Sequence, residues 1–152
     1  MDKFKYKFSI KIYIVAAIGT LLAVACFIFN VIRLVNFVKN DLTTAYNIIS
    51  VSIAIIMSIG FLVIILAMFF DSAYIFGESV LTVKFGVIRS NTEYSKIKQL
   101  VYFKANNKLT IFYEDESFNN IVISENEYSA FAQRLLLEKP DLIYYEDINE
   151  QK

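Results

Sequence analysis

From Ile12 to Ile32 the chain runs for 21 residues without a charge, bounded by Lys11 and Arg33. No other feature limits the fold so strongly. As a helix rising 1.5 Å per residue, such a run spans the ~30 Å hydrocarbon core of a bilayer. A second uncharged stretch of 29 residues, 42–70, opens with the polar Thr43, Thr44 and Asn47 and is apolar from Ile48 onward. In lipid, every backbone N–H and C=O needs a partner within its own segment, so helices are expected for both. Two buried helices of a soluble bundle would need a larger polar shell than the rest of this 152-residue, 57% hydrophobic chain supplies.

Lys3, Lys5, Lys7 and Lys11 precede the first run, whereas the connection between the runs carries Arg33, Lys39 and Asp41. Excess Lys and Arg stay on the cytoplasmic side during insertion. The expectation is a two-pass protein of the cell membrane with both termini cytoplasmic. Its parts are a basic N-terminus (1–11), a first transmembrane helix (12–38), an external loop (39–46), a second transmembrane helix (47–70), a cytoplasmic domain (71–143) and an acidic tail (144–152). Ala23-Val24-Ala25-Cys26 has the small residues of a processing site, but the chain stays apolar beyond it and Ala23 stands where a lipobox has Leu. The first helix is therefore expected to be retained.

Small residues recur at every fourth position: Ala16 with Thr20 and Gly19 with Ala23 in the first helix, then Ser50, Ala54 and Ser58 in the second. Such spacing lets helix backbones approach closely in lipid, where no hydrophobic force drives association. It serves either an antiparallel hairpin within one chain or a homodimer. Neither helix has a charge in its middle, which argues against a transporter or channel acting alone.

After residue 70 the pattern changes to short runs of Val, Ile, Tyr and Phe between turn-forming clusters. Strands are predicted at 73–76, 79–85, 87–92, 96–104, 108–113 and 117–123, with turns at Gly77-Glu78, Gly86, Ala105-Asn106-Asn107 and Glu114-Asp115-Glu116. In the second of these, Leu81, Val83 and Phe85 share one face, while Thr82 and Lys84 share the other. Ser124-Glu125-Asn126-Glu127 fits a capping box, followed by Tyr128, Phe131, Ala132 and Leu135 on one helical face and Pro140 as a stop. The tail from Tyr144 is predicted to fray. The fold class is α+β: a two-helix transmembrane hairpin, then six or seven antiparallel strands in a barrel or sandwich capped by a C-terminal helix.

Three stretches, Leu81-Thr82-Val83-Lys84-Phe85-Gly86-Val87-Ile88-Arg89, Tyr94-Ser95-Lys96-Ile97, and Ile121-Val122-Ile123-Ser124 with Phe131 and Pro140-Asp141, resemble the bacterial pleckstrin-homology-like (PH-like) domains of small membrane proteins in Gram-positive bacteria. The likeness covers residues 73–143. One similar group includes the membrane-anchored immunity protein against the bacteriocin sublancin. The resemblance implies a PH-like fold and a binding role rather than catalysis.

The residue inventory points the same way. The chain has no histidine and one cysteine, Cys26, within the first apolar run, so a zinc set and a disulfide are both excluded. Ser79, Ser90, Ser95 and Ser117 have no histidine to activate them, and the four glycines form no phosphate loop. The acidic turn at 114–116 lacks the alternating oxygen ligands and glycine of a calcium loop. No cofactor is expected. Residues 84–108 carry Lys84, Arg89, Lys96, Lys98, Lys104 and Lys108 against Glu93 alone. Anionic headgroups can add about 1 kcal/mol per basic residue near the surface, so Lys84, Arg89, Lys96 and Lys98 are the candidate membrane-surface contacts. The alternative is an ordinary solvated strand face. From residue 71 onward, 9 basic residues face 13 acidic ones, which argues against nucleic acid. The functional expectation is a membrane-anchored, non-catalytic binding or scaffold protein whose partners are membrane lipids and a membrane or cytoplasmic protein. Bacteriocin immunity and an accessory role in a transporter or enzyme complex are the alternatives.

Overall fold

The computed structural model describes residues 2–40, 42 and 44–147. Asp41 and Thr43 of the expected loop, and 148–152 with Glu150 of the expected tail, lie outside the described residues. The chain divides into two compact units, Ser9–Phe70 and a second one built from both Met1–Phe8 and Asp71–Lys152.

The first unit is a pair of helices, α1 (Ile10–Lys39) and α2 (Ala45–Phe70). Both are long and apolar enough to cross a membrane, and only 11% and 6% of their most apolar windows is buried. At 30 residues α1 rises about 45 Å, more than a bilayer core requires. The helix extends past the uncharged run through Arg33, whose guanidinium sits over the Phe37 ring at 5.2 Å.

Among the described residues, the second unit holds eight strands in two sheets: β1 (Lys3–Lys5), β2 (Ala73–Phe76), β3 (Val80–Phe85), β4 (Ile88–Glu93), β5 (Ile97–Phe103), β6 (Lys108–Tyr113), β7 (Phe118–Ile121) and β8 (Ile143–Asp147). One sheet has the order β1-β2-β3-β4 and the other β7-β6-β5-β8. The architecture is α+β, as expected, with β1 and β8 lying outside the six spans predicted as strands.

The first addition is β1, which precedes the helices yet pairs antiparallel with β2, after them: Lys3 opposite Ile75, Phe4 opposite Tyr74, Lys5 opposite Ala73. The basic N-terminus is part of the domain. The second is β8, which lies parallel to β5 with Tyr144 opposite Leu100. Residues 144–147 are therefore not a frayed tail; Lys104 holds Glu146 at 2.5 Å and the strand continues the sheet.

Between β7 and β8 lies α3 (Tyr128–Glu138), so the helix is not the last element. Its Phe131, Ala132 and Leu135 are buried against Tyr74, Phe76, Leu81, Ile97, Leu100, Leu109 and Ile111, as the apolar stripe requires. The capping box does not form. Glu127 N–H donates to the Ser124 carbonyl at 2.8 Å, a 3-10 turn over Glu125–Glu127, and the Ser124 hydroxyl makes no cap. A main-chain bond has taken the donor that the side chain would have satisfied.

Candidate functional site

In an antiparallel ladder, directly opposed residues project from the same face. The register Lys5, Ala73, Lys84, Arg89 therefore forms one row across β1 to β4, with Lys3, Ile75, Thr82 and Asn91 in the next row on that face. Phe4, Tyr74, Phe76 and Leu81 project the other way, into the core. Lys84 is paired with Asp71, and its side chain is only 12% exposed. The hydrogen bond from Lys84 holds the Asp71 carboxyl below its usual range against some desolvation, helped by the charges of Lys84, Lys3 and Arg89. Sequence reasoning named Lys84 and Arg89 but took Lys3 and Lys5 for orientation signals. The alternation Lys3-Phe4-Lys5-Tyr6-Lys7-Phe8 was the signal for a strand, and hence for this face.

The other two candidate lysines are elsewhere. Lys96 belongs to the 3-10 turn Tyr94–Lys96 rather than to a strand, and Lys98 is exposed where the β5–β6 register slips between Ile97 and Gln99. Arg89 and Lys96 are separated by the rest of β4 and that turn. The four basic residues do not form one patch.

Lys96 instead lines a polar groove of about 610 Å³ with Asn91 and Thr92 of β4, Tyr113, Asp115 and Asn119. β4 ends one sheet and β7 ends the other, so the groove opens between two strand edges. Burial pushes the Tyr113 hydroxyl up, and hydrogen bonds to Asn119 and Thr92 offset part of that shift. The acidic turn is occupied with its own structure: Asp115 accepts from the Ser117 hydroxyl at 2.6 Å and N–H at 3.1 Å, which lowers its carboxyl, while Glu116 takes the left-handed backbone at φ 65°. Among the described residues, no three Asp, Glu or Cys side chains are grouped to hold a metal. A smaller hollow of about 300 Å³ lies on the outer face of the other sheet, between Phe103, Thr110, Phe112, Phe118 and Asn120.

Of the predicted packing residues in the helices, Ala23 and Ser58 are buried, and Ala16, Gly19, Thr20, Ser50 and Ala54 are partly so. They share the seam of the α1–α2 pair. A Cβ on Gly19 would lie 3.3 Å from the Phe61 ring, which explains a glycine in mid-helix. The hydroxyls do not bridge the helices: Thr20 donates to the Ala16 carbonyl and Ser58 to the Ala54 carbonyl, both at 2.8 Å, and Ser50 to Asn47 at 3.1 Å. Asn30, buried in α1, donates to the Cys26 carbonyl at 2.9 Å. Small size, not hydrogen bonding by these hydroxyls, lets the two helices approach along this seam.

Comparison with protein-family models, with curated proteins and with solved structures returned no match.

Proposed function

We propose that this is a two-pass protein of the cell membrane whose PH-like domain, on the cytoplasmic side, is a non-catalytic binding module. One observation carries the reading: the strand before α1 pairs with the strand after α2. Chain that leaves a sheet through one membrane helix and rejoins it through another crosses an even number of times. Lys3, Lys5 and Lys7 then share the domain's side of the bilayer, and the positive-inside tendency makes that side the cytoplasm. The PH-like reading is supported by the division into β1–β4 and β5–β7 followed by α3. Its departures are a first strand supplied from ahead of the helices and the parallel β8.

Binding is assigned to the groove beside β4. An edge strand has unpaired backbone groups that an extended peptide can join, and Lys96, Asp115 and Asn119 line the same groove with side-chain donors and acceptors. Photo-crosslinking in cells tests this. A benzophenone amino acid at Asn91 or Asn119 should give one shared adduct that is missing when the probe stands at exposed Gln133 on α3. Adducts at Gln133 alone, or none at either groove position, would refute the assignment.

A further inference from the structure

The β3–β4 hairpin ends in a tip that the core does not use. Phe85 is 41% exposed, and Val87 and Ile88 are each 66% exposed. Phe85 opposes Ile88, which leaves Gly86-Val87 as a two-residue turn, and Gly86 has φ 58° while Val87 stays negative, the pattern of a II′ turn. The turn is tied to the points where the helices join the domain. Gly86 N–H donates to the Ser72 hydroxyl at 2.9 Å, Lys84 pairs with Asp71, and the Phe85 and Phe8 rings meet edge to face at 6.1 Å. Phe8 is the last domain residue before α1, and Asp71 is the first after α2.

We infer that this tip is a third membrane contact, with Val87 and Ile88 seated at the boundary of headgroups and acyl chains in the leaflet from which the helices emerge. This deepens the proposed function and rests on its reading of α1 and α2 as membrane-spanning. Two observations select lipid as the occupant. The apolar tip is bonded to residues covalently continuous with the apolar helices, so it lies at the end of the domain from which they leave. Directly behind it the sheet presents Arg89 and Lys5 in one row, with Lys84 already neutralised by Asp71, so the charge beside the tip is basic and complements anionic headgroups. Exposed aromatic and aliphatic side chains with a basic collar are the composition of a segment that lies in a membrane interface.

The test uses the full chain in lipid discs of phosphatidylcholine, with or without phosphatidylglycerol. An environment-sensitive fluorophore is placed on a single cysteine in a Cys26→Ser background, at Val87→Cys or, as the control, at Asn106→Cys on the β5–β6 turn. Emission from position 87 should shift to the blue and be quenched by acyl-chain nitroxide lipids, whereas position 106 should behave as in water. Adding Arg89→Glu should weaken the quenching at 87 only in discs containing phosphatidylglycerol. Water-like emission at 87 in protein that stays with the discs would overturn the tip contact and leave the hairpin free for a protein. Failure of the chain to stay with discs would instead overturn the membrane-spanning reading on which the inference rests. Equal quenching of the Arg89→Glu form in both lipids would overturn the role of the basic collar.

Discussion

The Phe4 ring, on the strand that precedes the helices, meets Phe131 of α3 edge to face with centroids 5.2 Å apart. The same ring lies 5.7 Å from Phe76, and Tyr6 two residues on stacks over Tyr74 at 4.8 Å. Tyr6 N–H then reaches the Ser72 carbonyl at 3.2 Å, and Lys7 N–H reaches Val122 at 3.0 Å, which ties β1's extension to the far sheet. Asp2 completes the attachment as an ion pair with Arg134 Nε at 2.5 Å, close but not aligned as a hydrogen bond. The core is completed by residues on the other side of the helices in sequence.

A fragment of residues 71–152 should therefore fail to fold, and the same fragment preceded by residues 2–8 and a short Gly-Ser linker should fold in water. Circular dichroism and amide exchange distinguish the two. In the linked form, Phe4→Ala should cost about 2 kcal/mol, below the figure for a fully enclosed ring because Phe4 is only partly buried. A fragment 71–152 that melts cooperatively without the added strand would contradict the role given to β1.

At the opposite corner of the same sheet, Gly86 holds the left-handed backbone at φ 58°. A Cβ there meets the following carbonyl, so Gly86→Ala should destabilise the domain by about 1–2 kcal/mol. Gly77 has no positive φ, but a Cβ there would lie 3.1 Å from the Val80 carbonyl oxygen, so any loss in Gly77→Ala reports crowding rather than backbone conformation. Urea melts of the linked domain measure both, and an Ala at 86 that leaves the midpoint unchanged would show the turn to be of another type.

The turns were the most legible part of the chain, for a physical reason. Gly86 and Asn107 have positive φ, and each falls in a cluster already marked by composition, because left-handed backbone selects glycine and asparagine locally; Glu116 also has positive φ within a marked turn, though its own residue type gives no such signal. β1 was hidden because its evidence is split. The alternation at 3–8 is local, but the partner strand begins beyond two helices, and the charges that mark the exposed face also serve as an orientation signal. β8 was hidden because Glu146 and Asp147 suggest solvent, and only the fold brings Lys104 to Glu146. Lys84 and Arg89 stand opposite each other because a hairpin fixes their register, whereas Lys96 lies outside the strand predicted to begin with it because a 3-10 turn comes first. The helices themselves needed no partner to be recognised.

Asp71 and Lys84 give the junction a pH dependence whose sign is fixed. A carboxyl held below its ordinary value near 3.8 contributes stability that is fully present above that value and is lost as the pH falls through the lower, folded value. Asp71→Asn should therefore lower the melting temperature slightly at neutral pH, and the difference from the unsubstituted protein should begin to shrink as the pH falls past about 3.8 and vanish only below the lower, folded value. The effect is small because the carboxylate is open to solvent. Thermal melts between neutral pH and pH 3 measure it, and a difference that grows in acid would give the pair the wrong sign.

Lys139 stands between α3 and Pro140, and its ammonium donates to the carbonyls of Ile97 at 2.7 Å and Ser95 at 3.2 Å. It closes the 3-10 turn that starts β5. Lys139→Met keeps most of the apolar stem but leaves both carbonyls without this donor, so it should cost about 1.5 kcal/mol. Lys139→Arg should recover part of the loss. Urea melts of the three forms decide the matter, and a Met form as stable as the parent would show that water replaces the ammonium.

Gly19 and Phe61 offer the corresponding test within the helices, because the 3.3 Å approach leaves no room for a branched side chain. Gly19→Leu should loosen the α1–α2 pair by about 1–3 kcal/mol, the usual range for overpacking. Phe61→Ala opens the space that the leucine needs, so the double variant should be more stable than Gly19→Leu alone. That reversal separates a contact between these two residues from a general loss of helix quality, which Phe61→Ala could not repair. Thermal denaturation in detergent, followed by loss of the monodisperse peak on size exclusion, reads all four forms. Additive losses in the double variant would mean that the seam does not bring these two positions together.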